Sequence, residues 1–261
     1  ILLAVTFPEV LFGGRTLAAS ATTPSVHPQG LAAEPTPDAA RTVIDPGASA
    51  WCDEPYFLLA RRALLSGEVD LIDSTLDRFL VDRSKSPSLQ IAALVNRSMG
   101  GDALLVRPEI KDFSDLRGKR IGVERGWVND FFLQYVLDAH GIALSDVERV
   151  DVKESDAGAY MLQNKVDGVV IWEPWLSNIK ELSGGHILVS TREEPILIDA
   201  LVGFGETMSV RQDEVTRFLI ALFEASEYIQ KNFAQSAEIV STYLGMSPDE
   251  TEEQLKKVEF F

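Results

Sequence analysis

Cysteine and histidine are scarce in this chain, and both shortages limit the chemistry it can perform. Cys52 is the single cysteine among 261 residues, so an internal disulfide and a cluster of thiolate metal ligands are excluded. We interpret Cys52 as a small buried residue. The three histidines are His27, His140 and His186, and no Cys–His nucleophile pair, HExxH spacing, P-loop or GxSxG motif is present. The sequence therefore favours a protein that is not an enzyme, and it indicates no cofactor and no metal site.

Basic residues are also few, with 24 Lys and Arg against 40 Asp and Glu, which gives a formal charge of −16. A surface this acidic would repel phosphate backbones and anionic lipid. Nucleic acid and a membrane surface are therefore poor candidates for partners. Hydrophobic residues make up 46% and charged residues 25%, as in soluble globular proteins. Beyond the N-terminal region, no segment has the ~18 uninterrupted apolar residues of a membrane span.

The N-terminal 46 residues differ in composition from the rest of the chain. Residues 1–14 are largely apolar, and residues 17–21 are small, of the kind that a signal peptidase accepts. Residues 22–46 are rich in Ala, Pro and Thr, as flexible tethers are. Residues 1–46 are therefore predicted to be an export signal and tether, either cleaved or kept as an anchor. The predicted location is periplasmic, or extracellular and membrane-associated.

From residue 54 onward, apolar residues recur with alternating helical and strand periods. Helices are predicted over residues 54–65, 75–81, 129–140 and 157–164. Strands are predicted over residues 69–72, 89–95, 103–106, 119–123, 147–152 and 168–172. This order implies a parallel sheet with helices on both faces, and Gly141 is a typical helix stop. From Arg211 the pattern is helical to the end, where an exposed pair, Phe260 and Phe261, favours a truncated chain.

Several short segments, taken in their order and spacing, resemble one family. They are Trp51 with residues 54–61 (EPYFLLAR), then 66–70 (SGEVD), 75–77 (TLD), 98–102 (SMGGD), 110–126, and 166–168 leading to 172–175 (WEPW). The helical tail fits as well, through Tyr228, Asn232, Ala237 and residues 244–248 (LGMSP). From Trp51 to its end, the chain is similar to the solute-binding proteins of nitrate, taurine and alkanesulfonate-type ABC transporters.

This resemblance implies an α/β architecture, the two-lobed periplasmic-binding-protein type II fold. Two parallel-sheet lobes would be joined by two crossover strands, near residues 96–101 and 198–202, and would close on a small molecule. Lobe I would be discontinuous, with residues 47–98 and 200–261, and lobe II would take residues 99–199. Relatives carry a further strand and part of a helix before the SGEVD segment. Lobe I is therefore expected to lack a strand, and its first strand, over residues 41–44, is weak.

Ligands of open parallel sheets bind at the carboxyl ends of the strands, and polar and aromatic residues follow the predicted strands here. The candidate ligand-binding residues are Trp51, Glu54, Tyr56, Thr75, Asp77, Ser98, Asp102, Trp127, Asn129, Trp172, Glu173, Trp175 and Asp199. Plainer roles stay open for several of them. Glu54 and Asn129 could be helix caps, Trp175 could belong to the core, and Asp102 and Asp199 could hold the hinge backbone.

The candidate residues also predict the charge of the ligand. Anion-binding relatives hold sulfonate or nitrate with hydroxyls and N–H groups where a helix follows the KRIGV strand. Here Trp127 and Val128 replace the hydroxyl pair, and Asp130 adds negative charge. Acids beside aromatic rings suit a cation, with about 1 kcal/mol for each cation–π contact. We therefore predict a nitrogenous ligand, cationic or heteroaromatic, unless the acids pair with Arg97, Arg107 or Arg125.

The function implied by the resemblance is that of the extracytoplasmic solute-binding component of an ABC importer. The chain would act as a monomer, and its partners would be a small-molecule ligand and the membrane permease. Four alternatives stay open: an anion-binding protein of the same family, the ligand-sensing domain of a receptor, a defective fragment, and an enzyme. The enzyme would resemble the thiamine-pyrimidine synthases of the same fold, and it is disfavoured because they need a reactive histidine and a cluster of cysteines.

Overall fold

The computed structural model describes residues 54–261, and for residues 54–57 and 59 it describes the backbone alone. The predicted export signal and tether, the weak strand over residues 41–44, Trp51 and Cys52 lie outside the described residues. The prediction that lobe I lacks a strand therefore stays a prediction. In the described part, no helix is long and apolar enough to cross a membrane.

The described residues form an alternating series of helices and strands. The helices are α1 (Glu54–Ser66), α2 (Leu76–Lys85), α3 (Val128–Ala139), α4 (Glu154–Leu162), α5 (Trp175–Ser183), α6 (Gly205–Val210), α7 (Gln212–Lys231), α8 (Phe233–Leu244) and α9 (Pro248–Leu255). The strands are β1 (Leu71–Thr75), β2 (Leu89–Ser98), β3 (Asp102–Val106), β4 (Arg120–Val123), β5 (Glu148–Asp151), β6 (Gly168–Trp172), β7 (His186–Ser190), β8 (Ile198–Phe204) and β9 (Val258–Phe260). The elements predicted between residues 54 and 172 are all present, with ends that differ by a few residues. Gly141 follows α3 with a φ of 68°, as predicted for a helix stop.

Two separate sheets divide the strands between them. The first sheet has the order β1-β8-β2-β9, and the second has the order β5-β4-β6-β3-β7. The chain leaves the first sheet after Ser98 and enters the second at Asp102. It leaves the second sheet after Ser190 and rejoins the first at Ile198. The two connections, residues 99–101 and 191–197, lie at or just before the predicted crossovers, while the lobe boundaries themselves stay a prediction.

The prediction of a parallel sheet in each lobe is wrong for the first sheet. All of its neighbouring strands are antiparallel, because β8 returns from the second sheet and inserts between β1 and β2. Strands β1 and β2 therefore run in the same direction without being neighbours. In the second sheet, β4 is parallel to both β5 and β6, whereas β3 is antiparallel to β6 and β7.

The prediction of a helical chain end is also wrong. After α9 the chain forms β9, which pairs in antiparallel register with the last residues of β2. Phe260 is buried, with 5% of its surface exposed, and it packs in one cluster with Ile229 and Leu255. Phe261 is 40% exposed. Only one residue of the expected exposed pair is therefore exposed. The strand itself was not predicted because three residues of period-2 alternation are too few to distinguish from a helical pattern.

The central strands β3, β4 and β6 of the second sheet are buried on both faces, which explains their continuous apolar runs. Along β3, Leu104 and Val106 pack on the face that α3 covers through Phe132. Ala103 and Leu105 point to the opposite face, which α4 and α5 cover. The first sheet has its own clusters, one with α1 and α2 and one with α7. Each sheet therefore has an independent core, and the surface between them is left for a site.

Candidate functional site

A cavity of about 500 Å³ lies between the two sheets and takes its walls from both of them. The first sheet contributes residues of β1, β2 and β8, together with the start of α2. The second contributes the segment between β4 and α3, and the segment between β6 and α5. Residues 244–258, around α9, close a further side. A volume of this size suits a small organic molecule.

Most of the predicted site residues that the structure describes line this cavity. They are Thr75, Asp77, Ser98, Asp102, Trp127, Trp172, Glu173, Trp175 and Asp199. Trp51 lies outside the described residues. Glu54 and Tyr56 belong to α1, but their side chains are outside the description. The structure therefore brings together residues from five separate sequence segments.

Asn129 is the exception, since it is not among the residues that line the cavity. Its side-chain amide is buried and donates to the carboxylate of Glu154 at 3.2 Å and to the carbonyl of Val170 at 3.0 Å. These bonds fix α3 against β6 and α4. The alternative role as a helix cap does not hold either, because Trp127 occupies the N-cap position of α3.

Three acids lie close together where the two sheets meet the cavity. Asp73 in β1 and Asp199 in β8 belong to neighbouring strands of the first sheet, and Asp102 begins β3 in the second. Burial raises the pKa of Asp102 to about 6; the hydrogen bond from Ser98 opposes this rise, and the charges of Asp199 and Glu173 add to it. Burial and the charge of Asp199 likewise raise the pKa of Asp73 to about 6. The cavity therefore concentrates negative charge that protein atoms partly shield from water.

The cationic side chains that line the cavity each have a partner. Arg61 pairs with Asp82 at 2.6 Å, and Lys257 pairs with Glu173. The guanidinium of Arg78 lies 5.1 Å from the ring centroid of Trp127. Two of these contacts, through Lys257 and Arg78, join the wall from the first sheet to the wall from the second. Glu173 is thus compensated by a lysine.

The arginines that could have neutralised the cavity acids have other partners. Arg97 pairs with Glu259 at 2.6 Å, and Arg107 donates to the carbonyl of Val166 at 3.1 Å. Arg125 donates to the carbonyl of Arg149 at 2.6 Å. None of these bonds reaches Asp102 or Asp199. The start of α3 is less acidic than predicted, because Asp130 pairs with Arg149 at 2.8 Å.

Two buried N–H donors on the cavity wall have no acceptor among the described residues: the amide nitrogen of Asn96 and the indole nitrogen of Trp172. An N–H group buried without an acceptor costs on the order of 1–3 kcal/mol, so these donors favour a ligand that accepts hydrogen bonds. Asn96 faces Asp199 across β2 and β8, and Trp172 faces Asp102 across β6 and β3. Each sheet therefore offers the cavity one donor beside one carboxylate.

Sequence reasoning missed Asp73, Asn96 and Lys257. Asn96 directly follows the apolar run that ends at Val95, and Asp73 stands in the segment LIDST beside the predicted strand end. Both positions carried a usable signal, because a polar residue inside an apolar strand needs a buried partner or a ligand. Lys257 gave no such signal. It reaches the cavity only because β9 pairs with β2. In the described part of the chain, no three His, Cys, Asp or Glu side chains are grouped as ligands for a metal ion.

Comparison with known proteins finds a matching family and several relatives in sequence. The family model described as NMT1/THI5 like matches residues 58–235. A binding protein of Brucella abortus is 24% identical over 159 residues, which cover 59% of this chain and 50% of that protein. The chain spans about half the length of the curated relatives it matches.

Two solved structures are similar in fold. The periplasmic aliphatic sulphonate binding protein SsuA from Escherichia coli superposes with a TM-score of 0.67 at 19% identity, covering 79% of this chain and 72% of that one. A Candida albicans protein described as having the generic periplasmic binding protein fold superposes with a TM-score of 0.59 at 19% identity, covering 77% and 67%. The predicted periplasmic-binding-protein fold is confirmed. The match over residues 58–235 shows that the chain belongs to the NMT1/THI5-like family.

Proposed function

We propose that the protein is the extracytoplasmic solute-binding component of an ABC importer, and that it captures a small molecule without covalent chemistry. The observation that carries this proposal is the cavity between two sheets, each with its own core, to which both sheets contribute polar side chains. The similarity to SsuA, a periplasmic binding protein, supports it. A ligand in this cavity touches both walls at once.

The proposed mechanism is closure of the two lobes around the ligand. A ligand that contacts both walls binds the closed arrangement more tightly, and this difference in affinity shifts the population toward it. Only the connections at residues 99–101 and 191–197 need to bend, because each sheet keeps its own core. The closed protein would then dock on the membrane permease. Export and a monomeric state are part of this proposal.

We infer further that the ligand is nitrogenous, either an amine or a protonated heteroaromatic base. The cations of the cavity already have partners, and Asp102 and Asp199 line the same cavity as Trp127, Trp172 and Trp175. A ligand cation could contact both a carboxylate and a ring face, with about 1 kcal/mol for each cation–π contact. The donors on Asn96 and Trp172 call for an acceptor atom on the same ligand.

A sulfonate or nitrate ligand is the second candidate, and the buried donors favour it. The N–H groups of Asn96 and Trp172 could hold an anionic oxygen, and SsuA is named for aliphatic sulphonates. The acids oppose it, since an anion would lie close to Asp102 and Asp199 in a partly shielded cavity. The charge of the ligand therefore distinguishes the two candidates.

A thermal-shift screen of the full chain tests the proposal. The probes are primary amines, aminopyrimidines, ethanesulfonate and nitrate. A ligand at one hundred times its dissociation constant stabilises the protein by about 2.7 kcal/mol. We expect a nitrogenous probe to raise the melting temperature, with a smaller rise in Asp102→Asn and an unchanged rise in Asp112→Asn, a matched change outside the cavity. A rise with sulfonates alone would keep the binding function and refute the charge of the ligand, and no rise with any probe would count against binding.

A further inference from the structure

Thr191 is a fully buried residue on the return connection between the sheets, and its side chain contacts the outgoing connection. Its hydroxyl oxygen accepts from the backbone N–H of Gly100 at 2.9 Å and from that of Asp102 at 3.3 Å. The same oxygen lies 2.7 Å from the hydroxyl of Ser98. Its backbone N–H donates to the carbonyl of Asp102 at 2.9 Å. One side chain thus joins the only two connections between the sheets in the described part.

The number of lone pairs decides the direction of the bond between the two hydroxyls. A hydroxyl has two lone pairs and one proton. The N–H groups of Gly100 and Asp102 occupy both lone pairs of Thr191, so its proton must be donated. The oxygen of Ser98 at 2.7 Å is a better acceptor than the carbonyl of Asp102 at 3.3 Å. Ser98 therefore accepts from Thr191, and its own proton is directed to the carboxylate of Asp102.

We propose that Thr191 is a positioning residue that ties the two connections together and, through Ser98, holds the carboxylate of Asp102 in its ligand-binding orientation. The inference rests on the proposed binding function for the role of Asp102. In this arrangement, Thr191 lies at the pivot of lobe closure and is hydrogen-bonded to Ser98, which is in turn hydrogen-bonded to the cavity acid Asp102. Closure and the charge of the site are thereby coupled through two hydroxyls.

The surroundings of this pivot support a fixed geometry. Gly100 has a φ of 105°, which residues with a Cβ adopt rarely, and the side chain of Arg192 covers it. The backbone N–H of Ser98 donates to the carbonyl of Leu197 at 2.9 Å, a further bond between the two sides of this junction. The return connection is therefore held at both of its ends, at Thr191 and at Leu197.

The charges that face Asp102 come from both sheets. Asp199 in β8 and Glu173 after β6 both disfavour its ionised form, and Glu173 is itself paired with Lys257. The hydrogen bond from Ser98 opposes these effects and favours the carboxylate. Loss of the Thr191 hydroxyl would free Ser98 to rotate and would weaken that bond. The carboxyl of Asp102 would then stay protonated to a higher pH.

Carbon-13 NMR titration of the Asp102 carboxyl in the ligand-free full chain tests this inference, with Asp102→Asn to assign the signal. We expect the titration midpoint of Thr191→Val to lie above that of the wild type, and the midpoint of Thr191→Ser, which keeps the hydroxyl, to match the wild type. A purely structural role of Thr191 would lower stability and leave the midpoint unchanged. A midpoint in Thr191→Val that equals or falls below the wild-type value would overturn the proposal.

A second variant keeps the test decisive if Thr191→Val does not fold. Thr191→Cys has a similar size and a weaker donor and acceptor, so it should raise the midpoint in the same direction by a smaller amount. Hydrogen exchange of the Gly100 amide should also accelerate by about fivefold or more in either variant, the factor expected for one lost hydrogen bond. No ligand is present in these measurements, so their failure would leave the proposed binding function standing, and a failed ligand screen would leave them valid.

Discussion

Replacing Asp102 by asparagine should stabilise the ligand-free protein at neutral pH. Burial raises the pKa of Asp102 from 3.8 to about 6. Between these two values the folded protein binds a proton that the unfolded chain has released, so the free energy of unfolding falls as the pH rises through that window and levels off above pH 6. Each pH unit corresponds to about 1.4 kcal/mol. Because Asp102 is still partly exposed to the cavity, we expect a cost of about 2–3 kcal/mol at pH 7.

Urea unfolding followed by circular dichroism measures this effect directly. Asparagine keeps the shape of the side chain and an oxygen that can accept from Ser98, so Asp102→Asn removes the charge and little else. The variant should exceed the wild type by about 2–3 kcal/mol near pH 7 and match it near pH 4. Asp73 has a raised pKa as well, but it is present in both proteins, so the difference between them isolates Asp102.

Asp112→Asn is a control with the opposite expected sign. The side chain and backbone of Ser114 donate to Asp112, which caps a short helix, and these bonds lower its pKa. A lowered pKa contributes stability above the unfolded value, so this variant should lose stability at pH 7. An Asp102→Asn variant that is less stable than the wild type at pH 7, or whose advantage does not change between pH 4 and pH 7, would refute the assignment of a strained, buried charge.

Three further predictions concern packing and the contact between the walls. Lys257→Gln should lower the free energy of unfolding by about 1–3 kcal/mol, because it leaves the nearly buried carboxylate of Glu173 without its cation. Lys257→Arg keeps the charge and should lose less. Equal losses in urea unfolding would contradict the ion pair. Leu105→Ala should cost about 3–5 kcal/mol by calorimetry, since Leu105 is fully buried, and a loss below 1 kcal/mol would contradict that packing. Gly203→Ala should cost about 1–3 kcal/mol, because its Cβ would lie 2.5 Å from the carbonyl oxygen of Asp70, and an unchanged melting temperature would contradict the close approach of β1 and β8.

The second sheet was predictable because its elements are encoded locally. Strand β6 has the predicted bounds, and the apolar run before Gly126 followed by an amphipathic helix predicts β4 and α3 without knowledge of the rest of the chain. Its central strands β3, β4 and β6 are buried on both faces, so each one contains a continuous apolar run. Local pattern and tertiary position agree in this part of the molecule.

The first sheet was less predictable because its order depends on pairing between distant segments. Strand β8 lies between β1 and β2 only after the chain has passed through the whole second sheet. Strand β9 has three residues, too few for a periodic signal, and its place beside β2 is fixed by the burial of Phe260. The number and direction of such neighbours are tertiary properties that the period of apolar residues does not contain.

The candidate site was predictable in its residue types and less so in its electrostatics. The position of Asp102, Trp172 and Asp199 at strand ends follows from the rule that ligands bind there, and the structure places them on one cavity. Which acid would be neutralised was not readable from the sequence. Lys257 reaches Glu173 across 84 residues of chain, and Arg149 reaches Asp130 from a neighbouring strand.

Calorimetric titration of a stabilising nitrogenous probe into the full chain tests the central claim most directly. We expect one binding site per chain and an affinity that falls by about tenfold or more in Asp102→Asn, since an ion pair in a partly shielded cavity contributes at least ~1.4 kcal/mol. Asp112→Asn should bind as the wild type does. Equal affinity in wild type and Asp102→Asn would contradict a cation site at this carboxylate. The absence of binding heat with every probe would contradict the proposal that the cavity captures a nitrogenous small molecule.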